Sequence, residues 1–73
     1  MMDNQAILAD GAFRHIVATG SYMDAIKAYF VRRYPGRAFI DLASTEIDEA
    51  IAAVDLVRHE NAIKRAAMEK EMR

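Results

Sequence analysis

Apolar positions along this chain recur at spacings of three and four residues, the period of helices packed by one side. In the first segment Leu8, Ala9, Ala12, Phe13, Ile16 and Val17 share one broad side of a helical wheel, and Asp10, Gly11 and Arg14 lie opposite. The pattern predicts a helix over residues 4–18. Asp3 or Asn4 can accept from its first-turn amides, and Thr19-Gly20 ends it, with Gly20 suited to a left-handed terminal residue. Gly11 costs such a helix about 1 kcal/mol relative to Ala.

The second helix has clearer punctuation. Ser21 is a good N-cap, and Asp24 stands three residues on, where its carboxylate can reach back. Tyr22, Met23, Ile26, Tyr29, Phe30 and Tyr34 form its apolar side, Arg32 and Arg33 fall in its last turn, and Pro35-Gly36 stops it. Residues 37–43 read Arg-Ala-Phe-Ile-Asp-Leu-Ala. A strand here would need a mate to satisfy its hydrogen bonds, and the chain offers no second strand. A short helix or packed loop needs none.

A third helix starts with Ser44 or Thr45 as its cap and Asp48 completing a Thr-x-x-Asp box. Ile47, Ala50, Ile51, Val54 and Val57 make a continuous stripe. Then the stripe changes. Arg58, Asn61 and Arg65 take over that face, and Leu56, Ile63 and Ala67 lie on nearly the opposite side. The helix should therefore leave the core near residue 58. The expected architecture is all-α: a small bundle of three main helices over residues 1–58, with a charged C-terminal extension over 59–73 that is either helical or fraying. Its expected core includes Leu8, Phe13, Ile16, Ile26, Phe30, Phe39, Leu42, Ile47, Ile51 and Val54.

Charge adds a second pattern. The 73 residues carry a formal net charge of only -1, yet the signs are sorted. Residues 14–37 hold Arg14, Lys27, Arg32, Arg33 and Arg37 against Asp24 alone, a net of +4. Residues 38–57 hold Asp41, Glu46, Asp48, Glu49 and Asp55 with no base, a net of -5. Blocks of this kind predict two oppositely charged surfaces that steer encounters with charged partners. The candidate partner-binding residues are a basic patch of Arg32, Arg33 and Arg37 and an acidic face of Asp41, Glu46, Asp48, Glu49 and Asp55.

Catalytic chemistry finds little material. The chain has no Cys, so it has neither a disulfide nor a thiolate metal site. Ser21 and Ser44 stand where helix caps belong. Asp55 and His59 share a helix face, but two ligands on one helix do not make a metal site, and His-Glu-x-x-His is absent. An ion pair or hydrogen bond between them is the simpler expectation. No phosphate-binding glycine loop or nucleophile elbow occurs. The expectation is a non-enzyme without cofactor, metal or small-molecule substrate.

The N-terminal Met1-Met2-Asp3-Asn4-Gln5 lacks the basic start of a signal peptide. No apolar run approaches the ~20 residues that cross a bilayer. A cytoplasmic protein without a membrane partner is expected.

Nucleic-acid binding is the rival reading, with Arg32, Arg33 and Arg37 as phosphate contacts around the stacking ring of Tyr34. A helix-turn-helix over 38–58 fits poorly, because its recognition helix would open Thr45-Glu46-Ile47-Asp48-Glu49, the wrong sign for a phosphate backbone. A ribbon-helix-helix fails because nothing breaks residues 45–65 into two helices. In length, lack of Cys and sorted charge the chain resembles the small proteins that bacteriophages make to bind host machinery, among them inhibitors of host RNA polymerase; anti-CRISPR proteins share the outline. The likeness is one of whole-chain character and carries no residue role. It implies a noncatalytic regulator that binds a larger bacterial protein, such as an RNA polymerase subunit.

Overall fold

A computed structural model of the chain describes residues 2–71. Four α-helices follow one another: α1 (Asn4–Ala9), α2 (Gly11–Thr19), α3 (Tyr22–Arg33) and α4 (Ser44–Glu71), with a 3₁₀ turn at Phe39–Asp41 before α4. The all-α expectation holds, and the described residues contain no strand. The 37–43 segment holds a short 3₁₀ turn rather than a strand, and Leu42 is its one buried residue. Arg73 lies outside the described residues.

The predicted first helix is two helices. Asp10 adopts φ -75°, ψ 119°, donates its N–H to the Ile7 carbonyl to close α1, and accepts from Phe13 N to open α2. One residue thus serves as both caps. In an unbroken helix Ile7 and Phe13 would point about 120° apart. The break lets both side chains reach zero exposure, and Ile7, absent from the predicted stripe, becomes core.

Gly20 is not left-handed: its φ is -93° and ψ 179°. Glycine is needed there for closeness, because a Cβ would stand 2.9 Å from the Ile16 carbonyl oxygen. The left-handed glycine is Gly36, at φ 86°, in the turn after α3.

The capping box of α3 forms as expected, with Asp24 N donating to Ser21 Oγ at 3.1 Å and Ser21 N to Asp24 Oδ2 at 3.3 Å. At α4 the expected cap shifts. Ser44 is already helical; the Ala43 carbonyl accepts from Ile47 N, and Glu46 rather than Asp48 reaches back to the Ala43 N–H at 2.9 Å. Ala at the cap supplies no side-chain acceptor, so the box is half made, by its carboxylate alone.

The core is Ile7, Phe13, Val17, Ala25, Ile26, Ala28, Tyr29, Phe30, Leu42, Ala50, Ala53, Val54 and Val57. Buried alanines on α3 and α4 let those helices approach closely, and three edge-to-face contacts link Phe13, Tyr29, Phe30 and Phe39. Of the expected core, Leu8, Ile16, Ile47 and Ile51 are only half-buried. Phe39 is a correction: it is 41% exposed, with an edge resting on Phe30. It sits in a three-residue turn, too short to carry its ring under α3. From Arg58 to Lys70 no residue of α4 is buried, yet α4 continues to Glu71 and gives the molecule dimensions of 48 × 19 × 18 Å.

Candidate functional site

The two sorted charge blocks face each other. The end of α3 and the start of α4 are neighbours, so the basic patch and the acidic face meet along one seam. Arg37 grips Glu46 with both nitrogens, at 2.7 and 3.1 Å, and donates a further bond to the Asp41 carbonyl at 3.1 Å. Arg33 Nε lies 3.7 Å from Glu49 Oε2, which also accepts from the Tyr34 hydroxyl at 2.9 Å. The Arg33 and Arg37 guanidinium groups stand 5.1 and 5.7 Å from the Tyr34 ring centre, a doubled cation–π contact. Arg32 turns the other way, to Asp10 at 2.8 Å and to the Ala28 carbonyl at 3.0 Å.

Five of the eight candidate partner-binding residues take part in these ion pairs. Arg32, Arg33, Arg37, Glu46 and Glu49 are spent largely on one another and on Asp10. Asp41 and Asp48 remain exposed. Asp55 is not paired with His59; it accepts from the Tyr22 hydroxyl at 3.1 Å. A fourth ion pair, Arg14 to Glu60 at 2.8 Å, pins α2 to the point where α4 leaves the bundle.

These contacts shift the acidities around the seam. The bond from Arg32 holds the Asp10 carboxyl below its usual range. The Ala43 N–H, then Arg37, does the same for Glu46. Desolvation raises the Tyr34 hydroxyl, and its bond to Glu49 adds to the rise.

Beside the seam lies exposed apolar surface. Ile40 is 89% exposed, Val31 68% and Phe39 41%. Val31, Phe30, Tyr34, Pro35 and Phe39 line a cleft of about 300 Å³, with Lys27 and Arg37 at its rim. Ile40 stands next to it at the centre of the 3₁₀ turn. A large apolar side chain almost wholly in water, set between Phe39 and Asp41 in the chain, has the make-up of an anchor in a protein–protein contact. Sequence reasoning placed Arg37 and Asp41 here but missed Val31 and Ile40. The one available signal was the Phe-Ile pair directly after a Pro-Gly turn.

No family model matches this chain, and neither does any curated protein or solved structure.

A second cleft, of about 700 Å³, fills the inside corner between the projecting half of α4 and the α2–α3 turn. It is lined by the buried Val17, Ala25 and Val54, the half-buried Asn61, and the exposed Arg58, Lys64, Arg65 and Met68. The Arg58 guanidinium covers the Tyr22 ring at 5.3 Å. Among the described residues no group of three or more histidines and carboxylates is placed to hold a metal ion, and no helix is long and apolar enough to cross a membrane.

Proposed function

We propose that this chain is a noncatalytic binding module that docks on a larger bacterial protein and regulates it, using the apolar surface of Val31, Phe39 and Ile40 as its contact. The observation that supports the reading is Ile40, at 89% exposure on a turn clamped by the Arg37–Glu46 pair. Leaving such a side chain in water wastes ~1.5–3 kcal/mol that burial in a partner would recover. The seam is what keeps the turn in place: Arg37 ties Glu46 to the Asp41 carbonyl across the turn's C-terminal end. Within the contact, Lys27, Arg37 and Asp41 form a charged rim that sets orientation and on-rate. The whole-chain likeness to phage regulators makes an RNA polymerase subunit the first partner to try. A cytoplasmic setting follows from that reading.

The DNA-binding alternative has weaker support, because Arg32, Arg33 and Arg37 already hold carboxylates and a phosphate would have to displace them.

The test is capture from nuclease-treated bacterial lysate at two salt concentrations, with wild-type protein, Ile40→Glu and Val31→Glu as baits. A stoichiometric protein held by the wild type and lost from both variants is the expected result. Retention of the same partner by both variants would overturn this surface, and recovery of nuclease-sensitive material alone would move the case to nucleic acid.

A further inference from the structure

The outer face of α4 carries a stripe left exposed among the described residues. At ~100° per residue, Ala52, Leu56, His59, Ile63, Ala66 and Lys70 fall within about 40° of one line along the helix, and all six are exposed. Leu56 is 45% and Ile63 56% exposed. Ala50, Val54 and Val57, which face the bundle, lie on the opposite side. The projecting half of α4, from Arg58 on, is fewer than four turns long, a length at which a helix without tertiary support is marginal in water.

We infer that the occupant of this stripe is a second copy of the chain, its α4 running antiparallel to the first with the two-fold axis near His59. Charge selects this occupant and this direction. Of the acids in the first half of α4, Asp48 falls within about 40° of the stripe's line, while Asp55 is held by Tyr22. In the projecting half Lys70 lies on the line itself, whereas Arg58, Lys64 and Arg65 line the cleft on the bundle side. An antiparallel pair lays each Lys70 over the partner's Asp48, whereas a parallel pair would stack like on like. The register that centres on His59 brings Leu56 against Ile63 of the second copy, Ala52 against its Ala66 and Asp48 against its Lys70.

The arrangement also meets the needs of the projecting half. Each unsupported extension lies along the bundle-backed half of the other chain, and its own bundle stays on the far side, out of the way. Alanines at the crossing allow close approach of the two helices. With two large apolar side chains per copy, the contact sits at the small end of stable interfaces, so self-association belongs in the micromolar to submillimolar range.

The experiment is sedimentation equilibrium of the full chain from about 10 μM to about 1 mM. The expected outcome is a rise in mass from the 8.2 kDa of one chain to twice that value. The rise is lost in Ile63→Glu, whose helical circular dichroism shows it still folded. A chain that stays monomeric at the highest concentration overturns the proposal. The register has its own test. Asp48→Lys and Lys70→Asp should each dimerise more weakly than wild type, since each homodimer then opposes two like charges twice. Mixed in equal amounts they should form a heterodimer at least tenfold tighter than either homodimer. No preference for the mixed pair would overturn the antiparallel arrangement. Because Ile40 is off the stripe, Ile40→Glu should dimerise as wild type does, which separates this contact from the proposed partner surface.

Discussion

Phe13→Ala measures how far this small bundle depends on one ring. Phe13 has zero exposure and meets the Tyr29 ring edge-on, with centroids 6.1 Å apart and planes at 64°. Truncation removes roughly 120 Å² of buried apolar surface, about 3 kcal/mol at ~25 cal/mol per Å². The lost aromatic pair adds ~0.5–1.5 kcal/mol, so the total is about 3–5 kcal/mol, the usual range for a buried Phe→Ala. A domain of this size has only ~4–11 kcal/mol to lose. In urea, followed by circular dichroism at 222 nm, a slope of ~1 kcal/mol/M turns the loss into a midpoint lower by ~3 M or more. Phe13→Leu should recover most of the loss. A Phe13→Ala midpoint within ~1 M of wild type would refute the placement of this ring at the centre of the core.

The glycines give a signed pair. Gly20→Ala should destabilise by roughly 1–2 kcal/mol, because its Cβ meets the Ile16 carbonyl. Gly11→Ala, with nothing within 4 Å of the new methyl, should stabilise by ~0.4–1 kcal/mol in the same titration. Stability should fall at both ends of the pH scale in thermal melts. Asp10 and Glu46 have folded values lowered from 3.8 and 4.5, so their contribution is full above those values and disappears as the pH drops through the still lower folded ones. Tyr22, Tyr29 and Tyr34 are raised from 10.0, each mainly by burial; their contribution is full below 10.0 and is lost as the pH rises through the folded values. Arg32→Ala should shrink the Asp10 part of the acid loss, leaving what the Phe13 and Ala12 N–H groups hold, and should not touch the Glu46 part. Ile40→Glu should shift the melting temperature little, since the side chain is exposed, with a stability change inside ~0.5 kcal/mol.

Local signals made much of the fold legible. Ser21 with Asp24, and Pro35 with Gly36, bound α3 correctly because capping and helix-breaking act within four residues. The apolar stripe of α4 and its end near residue 58 were readable for the same reason. The break at Asp10 was not, because Asp10 and Gly11 read equally well as the polar side of one helix. Only the competition of Ile7 and Phe13 for the same core decides between the two. The charge blocks were visible as composition. Their mutual pairing was not, because Arg37 and Glu46 are 9 residues apart and Arg32 and Asp10 are 22 apart, and periodicity says nothing about which helices become neighbours. Phe39 and Ile40 belong to a turn of three residues, too short for a pattern to set its phase, so sequence alone could not choose which of the two would face out.

The 28 residues of α4 run without a glycine or proline. At 1.5 Å per residue that is a rod of about 42 Å, and among the described residues it is the element that reaches from the Ile40 turn to the Arg65 end. A rod of this kind works as a ruler. Whatever grips the turn and whatever touches the far tip are kept at a fixed separation, with no linker to shorten or lengthen it. Geometry alone then decides which targets can be bridged: two sites on a large assembly are joined only when their spacing matches the helix.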